Sequence, residues 1–305
     1  MKKILTLGLC LVLFFTCGIS VQAANISEKD DLLEIMSLTK DKKVREKYLE
    51  IKKYGKLIQS KEAYIEIIED ITQPNSVELK NYSPSEYFNM RSLDLLTSSV
   101  QVEQEVSSWM KLRINIYDMS FRNEDEISVT CSFEWLETPY IQIPDYFGVG
   151  VSSTLTLPGE RDLDEVMFTY FPDKNNYNIS KTYHGDTERD TFILQEINGI
   201  GVNFPFAPSS IQPEMYSAGI YTIGSQYYPS KLLTAPKGIL TFGGWRTNTI
   251  DNYATLLVSY GHNSVGLAIN PTMSVDSNGN ISYPSFGIGS KIDDKFIRIR
   301  YEFEK

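Results

Sequence analysis

The stretch Ile127-Ser128-Val129-Thr130-Cys131-Ser132-Phe133-Glu134-Trp135 decides the fold class. Its apolar residues fall on every second position. Successive side chains of a β-strand point to opposite faces, so Ile127, Val129, Cys131, Phe133 and Trp135 share one face. Ser128, Thr130, Ser132 and Glu134 share the other. This pattern predicts an antiparallel sheet with one face buried and one face wet.

The same period recurs on both sides of this run. Leu112, Ile114 and Ile116 alternate with Lys111, Arg113 and Asn115. Downstream, Phe147, Val149 and Val151 repeat it, as do Val166, Phe168 and Tyr170, Phe192 with Leu194, Leu256 with Val258, and Val265, Leu267 and Ile269. Near the C-terminus, Ser277-Asn278-Gly279-Asn280 lies between two alternating runs, and Asn-Gly in that setting signals a hairpin. Phe296 to Phe303 reads as a last strand. The expected fold is mainly β, an antiparallel sandwich or barrel over residues 99–305, with an N-terminal α-helical segment.

That segment covers residues 25–74. Val44, Tyr48, Ile51, Gly55 and Ile58 step by three and four, and Tyr64, Ile67 and Ile71 extend the stripe. A break near Thr39-Lys40-Asp41 would fold it into a helical hairpin, and Pro74 with Asn75 ends it. Residues 75–98 read as a linker or irregular segment, with Ser83 or Ser85 placed to cap a short helical turn.

Residues 129–139 end in Trp135-Leu136-Glu137-Thr138-Pro139, with Asp145 shortly after. This resembles a pattern in largely uncharacterised secreted proteins of Gram-positive bacteria, a strand closing on Trp-Leu-x-x-Pro. The resemblance implies an extracellular or cell-surface setting. It implies no activity and carries no site.

The first residues point the same way. Lys2 and Lys3 precede an uncharged apolar run, Ile4 to Phe15, and Val21-Gln22-Ala23 offers a small-x-small cleavage signal. Residues 1–24 are therefore expected to be a signal peptide. No later apolar run is long enough for a transmembrane helix after cleavage. Removing Lys2 and Lys3 takes the net charge from −10 to −12. An acidic chain repels phosphate backbones, which argues against nucleic acid as a partner. Cys10 and Cys17 leave with the signal, so Cys131 stays as a single thiol and no internal disulfide is expected.

Chemistry-bearing residues are few. Of the two histidines, His184 lies in Tyr183-His184-Gly185-Asp186, with Asp190 close behind. One His with loop carboxylates is a weak metal set, because a tetrahedral zinc site needs more ligands. His262 follows Tyr260-Gly261 and reads as a turn or edge residue. Asp276, Asn278 and Asn280 present oxygens at alternate positions but lack the closing Glu of a calcium loop. No motif for a cofactor or nucleophile appears, so no cofactor is expected. Tyr216, Tyr221, Tyr227 and Tyr228 fall in a Gly/Pro/Ser-rich stretch, and Trp245 follows Gly243-Gly244. Such aromatics form binding surfaces that stack on sugar rings or anchor a partner.

The expected function is a secreted, non-catalytic binding or structural protein of the bacterial surface or medium, with cell-wall glycan or a surface protein as partner. One alternative is a glycan hydrolase working through two carboxylates. Another is a β pore former, with Thr97 to Ser108 as its spanning run.

Overall fold

The computed structural model describes residues 31–70, 77–94, 105–122, 125–137, 145–158, 165–171, 180–187, 192–196, 198–204, 236–247, 251–263, 273–282 and 292–303. The expected signal peptide, the run Val265 to Ile269 and the four tyrosines Tyr216, Tyr221, Tyr227 and Tyr228 lie outside these residues.

Three helices are described: α1 (Asp31–Ser37), α2 (Lys42–Tyr54) and α3 (Pro84–Asp94). The strands run β1 (Lys56–Asp70), β2 (Val77–Tyr82), β3 (Glu105–Asp118), β4 (Glu126–Trp135), β5 (Asp145–Val151), β6 (Leu155–Thr156), β7 (Met167–Phe171), β8 (Lys181–His184), β9 (Phe192–Glu196), β10 (Gly199–Phe204), β11 (Lys237–Arg246), β12 (Tyr253–Asn263), β13 (Ser274–Val275), β14 (Ile281–Ser282) and β15 (Ile292–Glu302). One sheet has the order β2-β1-β3-β4-β11-β7-β8, with β6 also paired to β11. The second has the order β15-β12-β5-β10-β9. Each pairing described is antiparallel. The protein is a mostly antiparallel β-sandwich.

The core lies between the sheets. Ile127, Val129, Cys131, Phe133 and Trp135 face it from β4, as the alternation predicts, and each is at most 1% exposed. Phe133 stacks on Phe204 of the second sheet at 4.5 Å and meets Phe147 edge-on at 5.2 Å. A fully buried side chain of this size contributes about 1.5–3 kcal/mol.

The expected wet face of β4 is not wet. Ser128, Thr130 and Ser132 are at most 2% exposed. The reason is a third layer: α1 and α2 lie across this face. Leu32 and Ile35 pack on Phe171 and Ile239, while Met36, Val44 and Ile51 pack on Tyr117, Met119 and Met167. Asp41 caps α2 by accepting from the Val44 amide at 3.1 Å, at the break expected near residues 39–41.

The helical reading of residues 25–74 fails beyond Gly55. There the chain leaves α2 and runs as a 15-residue strand, β1. The apparent helical stripe Tyr64-Ile67-Ile71 merged two faces. Ile67 points to the core with Ile65, while Tyr64 stands on the outer face, stacked on Tyr87 of α3 at 4.0 Å. Nor are residues 75–98 a plain linker. They hold β2, paired to β1, and the 11-residue α3. Ser83 caps α3 reciprocally with Glu86: the Glu86 amide donates to Ser83 Oγ, and the Ser83 amide donates to Glu86 Oε2 at 2.7 Å.

The Asn-Gly hairpin forms as expected between β13 and β14. Asp276 Oδ1 accepts from the amides of Asn278 and Asn280, so the alternating oxygens organise a turn. Gly279 has φ +77°, and a Cβ there would lie 2.6 Å from the Val151 backbone. The hairpin therefore docks its turn directly on β5.

Candidate functional site

Two polar assemblies stand out, one sealed and one open. The sealed one bridges the sheets. Trp135 Nε1–H of β4 donates to the Tyr260 hydroxyl at 2.9 Å, and that hydroxyl donates to Asp145 Oδ2 at 2.5 Å. His262 Nδ1 lies 3.1 Å from the same Asp145 oxygen, and its Nε2 lies 3.4 Å from Glu69 Oε1 of β1. His262 and Asp145 are 0% exposed and Glu69 is 1% exposed. Burial works to lower the His262 pKa, but Asp145 and Glu69 overcome it and raise the value from 6.5 to about 10. The ring is thus an imidazolium held between two carboxylates. His262 is a core residue, not the turn or edge residue its sequence neighbours suggest.

The open assembly lies where α2 crosses the outer face of the first sheet. A recess of about 440 Å³ is lined by Lys47 and Glu50 of α2, by Arg122 and by Glu165, which precedes β7. Lys47 lies 3.2 Å from Glu50 and 3.8 Å from Glu165, and Arg122 lies 2.5 Å from Glu50 and 3.1 Å from Glu126. Burial raises the Glu165 pKa above the usual carboxylate value, against the opposing pull of Lys47 and Arg122.

Gly243 of β11 lies against Glu165. A Cβ at this position would come within 3.1 Å of Glu165 Oε2 and 3.8 Å of the Trp245 indole. The Glu165 carboxylate and the Trp245 indole take up the space that a side chain at Gly243 would need. Register places Ser128 opposite Gly243, and Glu126 opposite Trp245. Ser128 Oγ, Thr130 Oγ1 and Glu165 Oε2 are buried without a hydrogen-bond partner among the described residues.

Trp245 is half-buried. The weak metal candidates do not converge. His184 Nε2 lies 3.0 Å from Asp41, and Asp186 lies 3.7 Å from Lys43. Both contacts fasten β8 and the turn after it to the start of α2. Asp190 lies outside the described residues. Among the described residues, no group of three or more His, Cys, Asp or Glu is placed to hold a metal. Lys47, Glu50, Arg122 and Glu165 carried no motif. The only signal was Gly243-Gly244 before Trp245, where glycine next to a large aromatic marks space on a strand.

The described part of Thr97 to Ser108 is already committed. Glu105, Val106, Ser107 and Ser108 pair with Asp70, Glu69, Ile68 and Ile67 of β1 inside the first sheet. No helix among the described residues is long and apolar enough to cross a membrane.

No protein-family model and no curated protein matches the chain. Among solved structures, it is similar to the collagen-binding domain of a Staphylococcus aureus adhesin, at 11% identity and a TM-score of 0.27, over 55% of this chain and 86% of that one. It is similar to the collagen-binding subdomain of the Enterococcus faecalis surface protein ACE, at 6% identity and a TM-score of 0.30, over 58% and 88%. Clostridium perfringens delta-toxin matches at 9% identity and a TM-score of 0.25, over 67% and 87%. Likenesses this distant carry no argument about function.

Proposed function

We propose that the chain is a secreted or surface-held binding protein of bacterial type, without catalytic activity of its own. The fate of the reactive side chains carries this reading. Cys131 and His262 are fully buried, and His184 holds Asp41 at the cap of α2. Histidine and thiol chemistry is thereby given over to architecture. What the molecule offers its surroundings is a rigid layered scaffold with polar and aromatic recesses. The expected partner is cell-wall glycan or a surface protein. Co-sedimentation with isolated cell walls and, separately, with liposomes tests this. Retention on walls at moderate salt supports it. Release of dye from liposomes, or no retention on walls, refutes it.

One observation favours a second reading. Glu165 combines a raised pKa with a place in the same recess as Glu50, and a two-carboxylate glycan hydrolase uses one carboxyl group of raised pKa beside another. Glu165 would be the acid and Glu50, paired with Lys47 and Arg122, the base. Glycan cleavage that is abolished in Glu165→Gln would establish it in place of the first.

A further inference from the structure

We propose that the outward side of α2 is a docking surface for an anionic lipid bilayer, with its basic side chains on the lipid phosphates and Leu49 entering the headgroup layer. The inference goes beyond the binding reading above and does not rest on it.

Charge is spread unevenly along the chain. From Lys40 to Lys56 stand eight lysines and arginines against three carboxylates, in a chain of net charge −10. The fold then sorts these groups by face. Val44, Lys47 and Ile51 turn inward, and Lys47 meets Glu50 and Glu165 there. Arg45, Leu49, Lys52 and Lys53 recur at steps of three and four on the opposite side. All four are exposed, as is Lys56 just past the helix end. The α2 carboxylates are already engaged. Glu46 pairs with Lys42 at 3.4 Å, and Glu50 pairs with Lys47 and Arg122. Lys52 donates instead to a neutral group, the Tyr48 hydroxyl at 3.0 Å, and Lys53 lies over the Tyr54 ring at 4.6 Å. Neither contact cancels the charge.

Apolar side chains stand among these cations. Leu49, in the middle of the basic stripe, is 59% exposed. Phe121, in the turn after β3, is 81% exposed, and the pair of Arg122 with Glu50 sets that turn beside α2. Leu38, at the end of α1, is also exposed. A soluble polyanion offers these side chains nothing. A bilayer offers both parts of the surface a partner: phosphates for the ammonium groups and the acyl boundary for the leucine and the phenylalanine. The negative charge of the whole chain does not oppose this at contact. Charges are screened beyond about 8 Å at physiological ionic strength, so the groups nearest the lipid decide.

Sedimentation of the protein in its exported form with vesicles tests this. Vesicles of equal parts phosphatidylglycerol and phosphatidylcholine should retain it at low salt and release it at high salt. Vesicles of phosphatidylcholine alone should not retain it. A basic residue at an anionic surface contributes about fivefold in affinity, so Lys52→Ala combined with Lys53→Ala should weaken retention about 20-fold. Leu49→Gln should weaken it about fivefold, through lost apolar contact. Both variants should keep the parent's thermal midpoint, because all three side chains are exposed. Dye trapped in the vesicles should stay inside, which separates docking from pore formation. No retention on the mixed vesicles overturns the proposal, as does equal retention on phosphatidylcholine alone. Retention that Leu49→Gln leaves unchanged, and that inorganic polyphosphate competes away, marks a polyanion site and overturns the membrane reading.

Discussion

Replacing His262 by Gln tests how the two sheets are held. Gln keeps a donor but cannot carry the charge that Asp145 and Glu69 face. A rise in the His262 pKa from 6.5 to about 10 corresponds to roughly 5 kcal/mol of preference for the charged ring. Removing one member of a buried ion pair costs about 3–5 kcal/mol, because the others stay buried without compensation. For a chain of this size the variant should melt roughly 10 °C lower. The pH dependence has a definite sign. The folded-state pKa is raised, so the contribution is fully present below about pH 6.5. It is lost as pH rises through about 10. Urea unfolding of parent and variant at several pH values measures this, and taking the gap between them cancels titrations shared by both. The groups facing the ring are Glu69 on β1, Asp145 on β5 and Trp135 on β4, with Tyr260 joined through Asp145. A gap below about 1 kcal/mol at pH 6, the size of an exposed pair, would refute a buried ionic key. So would a gap that fails to narrow between neutral pH and pH 10.

Cys131 is fully buried and burial raises its pKa well above 9.0, so thiol reagents should label it only after denaturant is added. Gly279→Ala forces a Cβ into the Val151 backbone at a positive φ and should destabilise by about 1–3 kcal/mol, read as a lower urea midpoint. Trp135→Phe removes the donor to the Tyr260 hydroxyl inside the core and should cost about 1–3 kcal/mol. In contrast, Lys42→Ala breaks an exposed helix pair with Glu46 and should change stability by under about 0.5 kcal/mol.

Period-two alternation survived folding well where one face meets the inter-sheet core. β4, β5, β7 and β12 are legible residue by residue on that side. The opposite face was not, because its burial comes from α1 and α2, and a polar pattern such as Ser128-Thr130-Ser132 carries no mark of a helix that will cover it. β1 failed for a related reason. With apolar residues on both faces, one set for the core and Tyr64 for α3, its pattern imitates a helical stripe. Ile65, Ile67 and Ile68 were the corrective signal, since β-branched residues favour strands.

The site was less legible than the fold. Trp245 could be picked because aromatics beside glycines are distinctive. Glu165, Lys47, Glu50 and Arg122 are four of 68 charged residues, and nothing local marks them. Their convergence depends on α2 packing over the end of β3 and the start of β7, a contact between segments far apart in the chain.

The buried ionic key has a structural rationale. Apolar faces of two sheets slide over one another at little cost, since any hydrophobic layer accepts any other of similar volume. A donor and acceptor inside that layer do not, because each misplaced register strands a charge. Glu69 fixes β1 against β12, and the Trp135–Tyr260–Asp145 chain fixes β4 against β12 and β5. At the sandwich edge, Lys61 and Asn81 donate to the Arg298 and Phe296 carbonyls of β15, occupying acceptors an edge strand would otherwise expose. Both devices fix the position of one sheet on the other rather than add apolar area.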